Sequence, residues 1–311
     1  MKSLGVSWFL KYTGLSISVA FGMLHLYNKY IERKRRNALE GKVVVITGAS
    51  SGIGEALSHA FYEYGCNVIL ASRRKSELER VKQDLLSKKV FLQENAVFEP
   101  VVIELDLADK NQFKQFIQRV HEVCGKIDIL INNGGVSHRD SVMNTKMDVY
   151  EKIMNINYFG SVGLTKAALP RMIEQKCGHV VFISSVQGLI AIPDRSAYAA
   201  SKHALQAFSD SLRAEMNQHN INVSVVSPGY VKTAVSLNAL TGSGDNHGVM
   251  DKSTACGFAA EYCAIKILDT VVQKNNELVV SQITPRLAIF LRHVAPSLYF
   301  WIMAKRAVKT T

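Results

Sequence analysis

From Gly41 onward the chain alternates short, continuously apolar runs with longer amphipathic ones, and this alternation restricts the fold more than any other feature. "KVVVITG" reads as a buried strand, followed by a glycine turn and a helix near Ile53–Tyr64. "NVILAS" is a second strand and Lys75–Ser87 a charged helix; the loop "KKVFLQENAVFEP" then delays the third strand, "VVIELDL". A helix near Gln112–Val123 leads to "IDILINN", and one long helix across Lys146–Glu174 leads to "HVVFISS". The helical run around "SAYAASKHAL" precedes "INVSVVSPG", and "ELVVS" at Glu277–Ser281 closes the sheet. Strands separated throughout by helices imply right-handed crossovers and an α/β fold: a doubly wound parallel sheet, covered on both faces, in one domain over residues 41–282.

The net charge of +11 suggests nucleic acid until it is located. Residues 1–40 carry seven basic and two acidic side chains, residues 285–311 five basic and no acidic ones, so the middle of the chain is close to neutral. Charge gathered at two ends beside apolar segments fits a membrane surface better than a nucleic-acid groove. Tyr12 to Asn28 is uncharged for 17 residues, the short limit for a spanning helix, and a snorkelling Lys11 extends it. Trp8 and Phe9 at one edge, and Tyr27 and Tyr30 at the other, resemble interfacial belts. A cleaved signal peptide is the competing reading, with Ser18-Val19-Ala20 as its cleavage site. The basic block "KYIERKRR" behaves instead as a stop-transfer flank, so residues 1–36 are expected to be an uncleaved membrane anchor. The positive-inside rule then puts the main domain in the cytosol, although Lys2 and Lys11 oppose it. Five scattered cysteines without a C-x-x-C pair read as reduced thiols, and the nine histidines show no metal-ligand spacing.

Parallel sheets of this kind bind ligands at the carboxyl ends of their strands. "TGASSGIG", Thr47 to Gly54, follows the first strand and opens a helix, the setting a dinucleotide loop requires. Gly48 serves the tight turn, Gly52 lets backbone approach a pyrophosphate, and Gly54 allows close helix packing; Thr47, Ser50, Ser51 and Ile53 complete the loop, and the helix N-terminus attracts phosphate. This makes the sheet Rossmann-type. At the end of the second strand an NAD site would place an acid, but "LASRRK" offers Ser72, Arg73 and Arg74, which suit the 2′-phosphate of NADP(H).

Tyr198 and Lys202 lie four apart in an alanine-rich run, hence on one helix face. A phenol with its ordinary pKa near 10 is a poor proton carrier at neutral pH, so a fixed lysine beside it calls for a role. "TGxxxGxG", "NNGG" (Asn132–Gly135), Asn157, Ser185, "YAASK" and "SPG" (Ser227–Gly229) occur in an order that resembles the short-chain dehydrogenase/reductases. The resemblance implies that Tyr198 donates a proton to a substrate carbonyl oxygen and that Lys202 lowers the tyrosine pKa and holds the nicotinamide ribose. It also implies that Ser185 hydrogen-bonds the carbonyl oxygen and that Asn157 holds a water returning protons to Lys202. Further cofactor positions carried over from the family are Asp106 and Leu107, Asn133 and Gly134, Pro228 and Gly229, and Val231 and Thr233. Gly134 departs from the family's usual alanine and puts packing beside the cofactor in question.

Thr233 to Thr254 reads as a flexible substrate lid. The tail at residues 283–311 holds two apolar bursts, broken by Arg292 and Pro296, too interrupted to span a membrane. It lies in the lipid interface, or packs on its own domain or a homodimer partner. The expectation is a membrane-anchored, NADPH-dependent carbonyl reductase on an endoplasmic-reticulum or peroxisomal membrane, acting on a hydrophobic ketone such as an acyl- or alkyl-dihydroxyacetone phosphate, a retinoid or a steroid. The alternative is a catalytically idle, nucleotide-binding membrane scaffold.

Overall fold

The computed structural model describes residue 23 and residues 26–88 and 98–308. Seven parallel strands lie in the order β3-β2-β1-β4-β5-β6-β7. They are β1 (Val43–Thr47), β2 (Asn67–Ser72), β3 (Val101–Glu104), β4 (Ile129–Asn132), β5 (Gly178–Ile183), β6 (Ile221–Pro228) and β7 (Glu277–Val280). All five residues of β1 are buried, as a central strand covered on both faces demands. Alternate residues feed two cores. Val44 and Ile46 join side chains from α2 (Gly52–Glu63), α3 (Lys75–Lys88) and α9 (Ala260–Gln273). Val43 and Val45 join those from α4 (Gln112–Cys124), α6 (Ser161–Glu174) and α7 (Ser196–Met216).

Two expectations need correction. The third strand stops at Glu104, because after Leu105 bonds Ser72 the chain turns at Asp106. The long helix expected over Lys146–Glu174 is broken into α5 (Met147–Met154), a π-helical turn (Asn155–Gly160) and α6.

At the amino-terminal end, residues 26–39 form a helix, α1. Arg35 fastens it to α9 through a bidentate pair with Asp269, at 2.8 and 3.0 Å, and donates to the Tyr64 hydroxyl. The expected anchor, Tyr12 to Asn28, lies largely outside the described residues, and among these no helix is long and apolar enough to cross a membrane. Beyond β7, α10 (Ile283–Val294) and α11 (Pro296–Val308) form the tail.

The foot of the sheet is tied by Asp128. Its carboxylate accepts from the Val43 amide at 2.9 Å and from Lys42 at 3.1 Å. Burial opposes its ionisation, but the Val43 amide, Lys126 and Lys42 outweigh that and hold the carboxyl below its ordinary value. Its stabilising contribution is therefore complete above the unfolded-state pKa and lost as pH falls through the lower folded value. Asp128→Ala should cost about 1–3 kcal/mol in urea unfolding at neutral pH. The gap to the unaltered protein should close in acid, where both chains have lost the carboxylate.

Candidate active site

The strand order reverses between β1 and β4, and a cleft of about 490 Å³ opens at the carboxyl ends of the strands there. Thr47, at the end of β1, draws the two strand ends together. Its hydroxyl accepts from the Asn133 and Gly134 amides, each at 3.0 Å, and the Asn133 side chain donates back to the Thr47 carbonyl at 2.9 Å. The loop into α2 then turns through Gly48 at φ +66°, where a Cβ would come within 2.8 Å of the Gly134 backbone. A Cβ on Gly54 would meet the Gly48 carbonyl at 2.2 Å, so this glycine lets α2 begin against its own loop. Thr47, Gly48, Ser50, Ser51, Gly52 and Ile53 all line the cleft, whereas Gly54 lies behind them.

At the end of β2, Ser72, Arg73 and Arg74 line the same cleft. Arg74 reaches across to the loop, donating to Ser50 Oγ at 3.0 Å and Ser51 Oγ at 3.1 Å. Glu104, in register beside Ser72 on β3, is exposed and absent from the cleft lining. Asp106 and Leu107 form the neighbouring wall, with the Asp106 carboxylate accepting from the Ala108 amide. Gly134 raised a question of loose packing, and Leu107 answers it. A Cβ on Gly134 would stand 2.5 Å from Leu107 Cδ1, so the leucine already fills the space of the missing methyl. Pro228, Gly229, Val231 and Thr233, beyond β6, line the opposite wall. Glycines that leave loop backbone open, hydroxyls and a guanidinium beside it, and a cleft at the switch point together fit a dinucleotide.

Tyr198 and Lys202 stand one turn apart on α7 and both face the cleft, as does Ser185 at the end of β5. The Lys202 ammonium donates to the Ile183 carbonyl at 2.8 Å and lies 5.8 Å from the centre of the Tyr198 ring. The expected depression of the tyrosine pKa by Lys202 is not what the geometry gives. Burial dominates and raises the phenol above its ordinary value, partly opposed by a hydrogen bond with Ser185 and the charge of Arg139. Burial likewise pulls Lys202 down to about 8. A lysine directed at a main-chain carbonyl, itself reluctant to stay charged, exerts little pull on the hydroxyl. The result is a protonated phenol and a serine hydroxyl lining one cleft: two groups able to donate to one oxygen.

Asn157 sits in the π-helical turn, fully buried. Its side chain pairs with the Val136 backbone on both edges, accepting at 2.8 Å and donating at 2.9 Å, and also donates to Ser201 Oγ. Through these bonds the side chain positions the strand-end segment that lines the cleft, and Oδ1, which takes one donor here, keeps a second lone pair. Asn157→Ala should lower stability by roughly 1–3 kcal/mol for each Val136 group left unpaired, measured by urea unfolding.

Sequence reading missed the partner of the lid. Leu240 bonds Ser137 and Arg139 through the backbone, and Arg139 grips Asp251 at 2.7 and 2.8 Å. Thr233 to Thr254 is thereby stitched to residues 137–140 and is no loose flap. Ser137, Leu240 and Asn246 complete the cleft lining at this end. Only the apolar Leu240 inside a polar stretch hinted at this.

The short chain dehydrogenase profile matches residues 42–242. A Drosophila melanogaster protein named dehydrogenase/reductase SDR family protein 7-like is 53% identical over 302 residues, 97% of this chain and 91% of its own. Dehydrogenase/reductase SDR family member 7B of Xenopus laevis is 46% identical over 293 residues, 94% of this chain and 90% of its own. Among solved structures, a Burkholderia phymatum short chain dehydrogenase/reductase in complex with NAD shares the fold at a TM-score of 0.73 and 22% identity, covering 84% of this chain and 95% of that one. A metagenomic short-chain oxidoreductase in complex with NADP superposes at a TM-score of 0.63 and 27% identity, covering 78% and 98%. With a nicotinamide-dinucleotide cleft and a tyrosine, lysine and serine gathered at its edge, this chain belongs to the short-chain dehydrogenase/reductase family of oxidoreductases.

Proposed function

We propose that the protein is an NADPH-dependent reductase of a hydrophobic ketone, held at an endoplasmic-reticulum or peroxisomal membrane by its amino-terminal residues, with the catalytic domain in the cytosol. The carrying observation is that Tyr198, Ser185 and Lys202 line the same cleft as the glycine loop, with Lys202 one helical turn from Tyr198. When bound, the reduced nicotinamide supplies a hydride to the carbonyl carbon. Ser185 holds the carbonyl oxygen, and Tyr198 gives that oxygen its proton as the C=O π pair becomes the new O–H bond. Lys202, buried beneath the tyrosine, is placed to serve the cofactor ribose. Arg74 and Ser72 favour a 2′-phosphate, in line with the absence of an acidic residue at the end of β2.

Keto-lipids such as acyl- or alkyl-dihydroxyacetone phosphates, retinoids and steroids are the substrate classes to try first. The purified full-length protein, given NADPH and a membrane lipid extract, should convert a ketone to its alcohol, followed by mass spectrometry. If no lipid gains two hydrogens at the expense of NADPH, the reductase reading fails and an idle scaffold remains. Deleting residues 1–36 should release the protein from carbonate-washed membranes; retention would refute the amino-terminal anchor.

A further inference from the structure

We infer that α10 and α11 form a docking face for an anionic lipid surface, fixed beside the substrate end of the cleft. On α10, Ile283, Leu287, Phe290 and Val294 recur at helical spacing within a wedge of about 60°. All four are exposed, Phe290 at 63%. On α11, Trp301 is 60% exposed and shares a face with Leu298 and Lys305. Among the described residues nothing covers these apolar faces on two consecutive helices, and such exposed apolar surface marks an interaction site.

Charge identifies the occupant. Residues 283–311 contain no acidic side chain, while Arg286 borders the α10 stripe and Lys305 lies on the α11 face. Arg292 lies 4.8 Å from the centre of the Phe300 ring, and Lys305 lies 5.7 Å from that of Trp301. Rings and cations held together in this way share one depth, as they must at the boundary between acyl chains and headgroups. A second copy meeting the same face would set these cations against themselves. An anionic bilayer surface neutralises them while covering the apolar stripe.

The face has a fixed position relative to the cleft. Tyr299, only 2% exposed, points inward from α11 and donates its hydroxyl to the Ala191 carbonyl at 2.5 Å. Ala191 belongs to the segment joining Ser185 to Tyr198. Arg306 reaches the Tyr230 hydroxyl at 3.5 Å, immediately after Gly229 of the cleft wall. Lipid touching α10 and α11 would therefore lie against the elements that carry the tyrosine and serine.

The chain has two tryptophans, Trp8 and Trp301, so Trp8→Phe leaves the tail its own fluorophore in the full-length protein. This variant is reconstituted in vesicles of phosphatidylcholine and phosphatidylserine whose acyl chains carry bromine at shallow or deep positions. Trp301 fluorescence should be quenched by shallow bromines more than by deep ones, and the quenching should fall in vesicles of phosphatidylcholine alone. In Leu287→Glu/Phe290→Glu on the same background it should disappear, while dinucleotide binding persists. Unquenched Trp301 overturns the inference, whether the face is then covered by a second copy or by the amino-terminal segment. Quenching that ignores phosphatidylserine overturns the choice of an anionic surface. The readout requires no turnover, so it stands or falls apart from the reductase reading.

Discussion

Tyr198→Phe is expected to cut turnover by a factor of about 10² or more while dinucleotide binding survives. The substitution keeps the ring that packs beside Lys202 and removes only the hydroxyl, which shares the cleft with Ser185. Nothing else in the cleft replaces that proton at the same point, because the Lys202 ammonium is directed at the Ile183 carbonyl. Cofactor titration and steady-state turnover on a confirmed substrate decide the matter. Full activity in the phenylalanine variant would remove Tyr198 from the chemistry. A matching loss in Ser185→Ala, with binding retained, would place both donors on the same oxygen.

The second large effect is expected at Arg74. Its guanidinium bridges the end of β2 to Ser50 and Ser51 of the glycine loop, where a 2′-phosphate would have to lie. Arg74→Asp replaces a charge-assisted donor with a repelling carboxylate. A charged hydrogen bond contributes about 1.5–3 kcal/mol, so the preference for NADPH over NADH should fall by roughly 10- to 150-fold and pass into preference for NADH. Arg73→Asp should do less, since Arg74 makes the bonds to the loop. Equal titration curves for both dinucleotides in the unaltered protein would sink the argument before any variant is made.

Much of this architecture was legible in the residues because its signals are local. Uninterrupted apolar strands such as "VVVIT" announce a sheet covered on both faces, and the glycines after β1 announce a turn against a phosphate. What escaped reading depends on direction or on long-range pairing. The spacing of Tyr198 and Lys202 gives a shared face but cannot show that the lysine points at Ile183. The sequence around Asn157 suits an α-helix, and nothing in it shows the widened turn or the two hydrogen bonds that Asn157 makes there to Val136, 21 residues away in the chain. Asp251 lies 112 residues from Arg139, and no periodicity connects a lid to its clasp. The amino-terminal anchor remains a reading of hydropathy and charge.

The widened turn at Asn155–Gly160 has a consequence for how this helix can vary. One residue contributes about 100° of rotation to an α-helix. Deleting a single residue here would restore uniform winding with α5 and α6 close to their present phase, since the widened turn carries one residue more than an α-helix would over nearly the same rotation. Tyr150 would then keep Ser196, whose hydroxyl it meets at 2.6 Å at the start of α7, and the change would fall on Asn157 and its two bonds to Val136. A one-residue deletion within residues 155–160 should therefore be tolerated better than one in the middle of α5 or α6, which would rotate the rest of the helix by about 100°, and a deletion scan read by soluble yield would show this contrast.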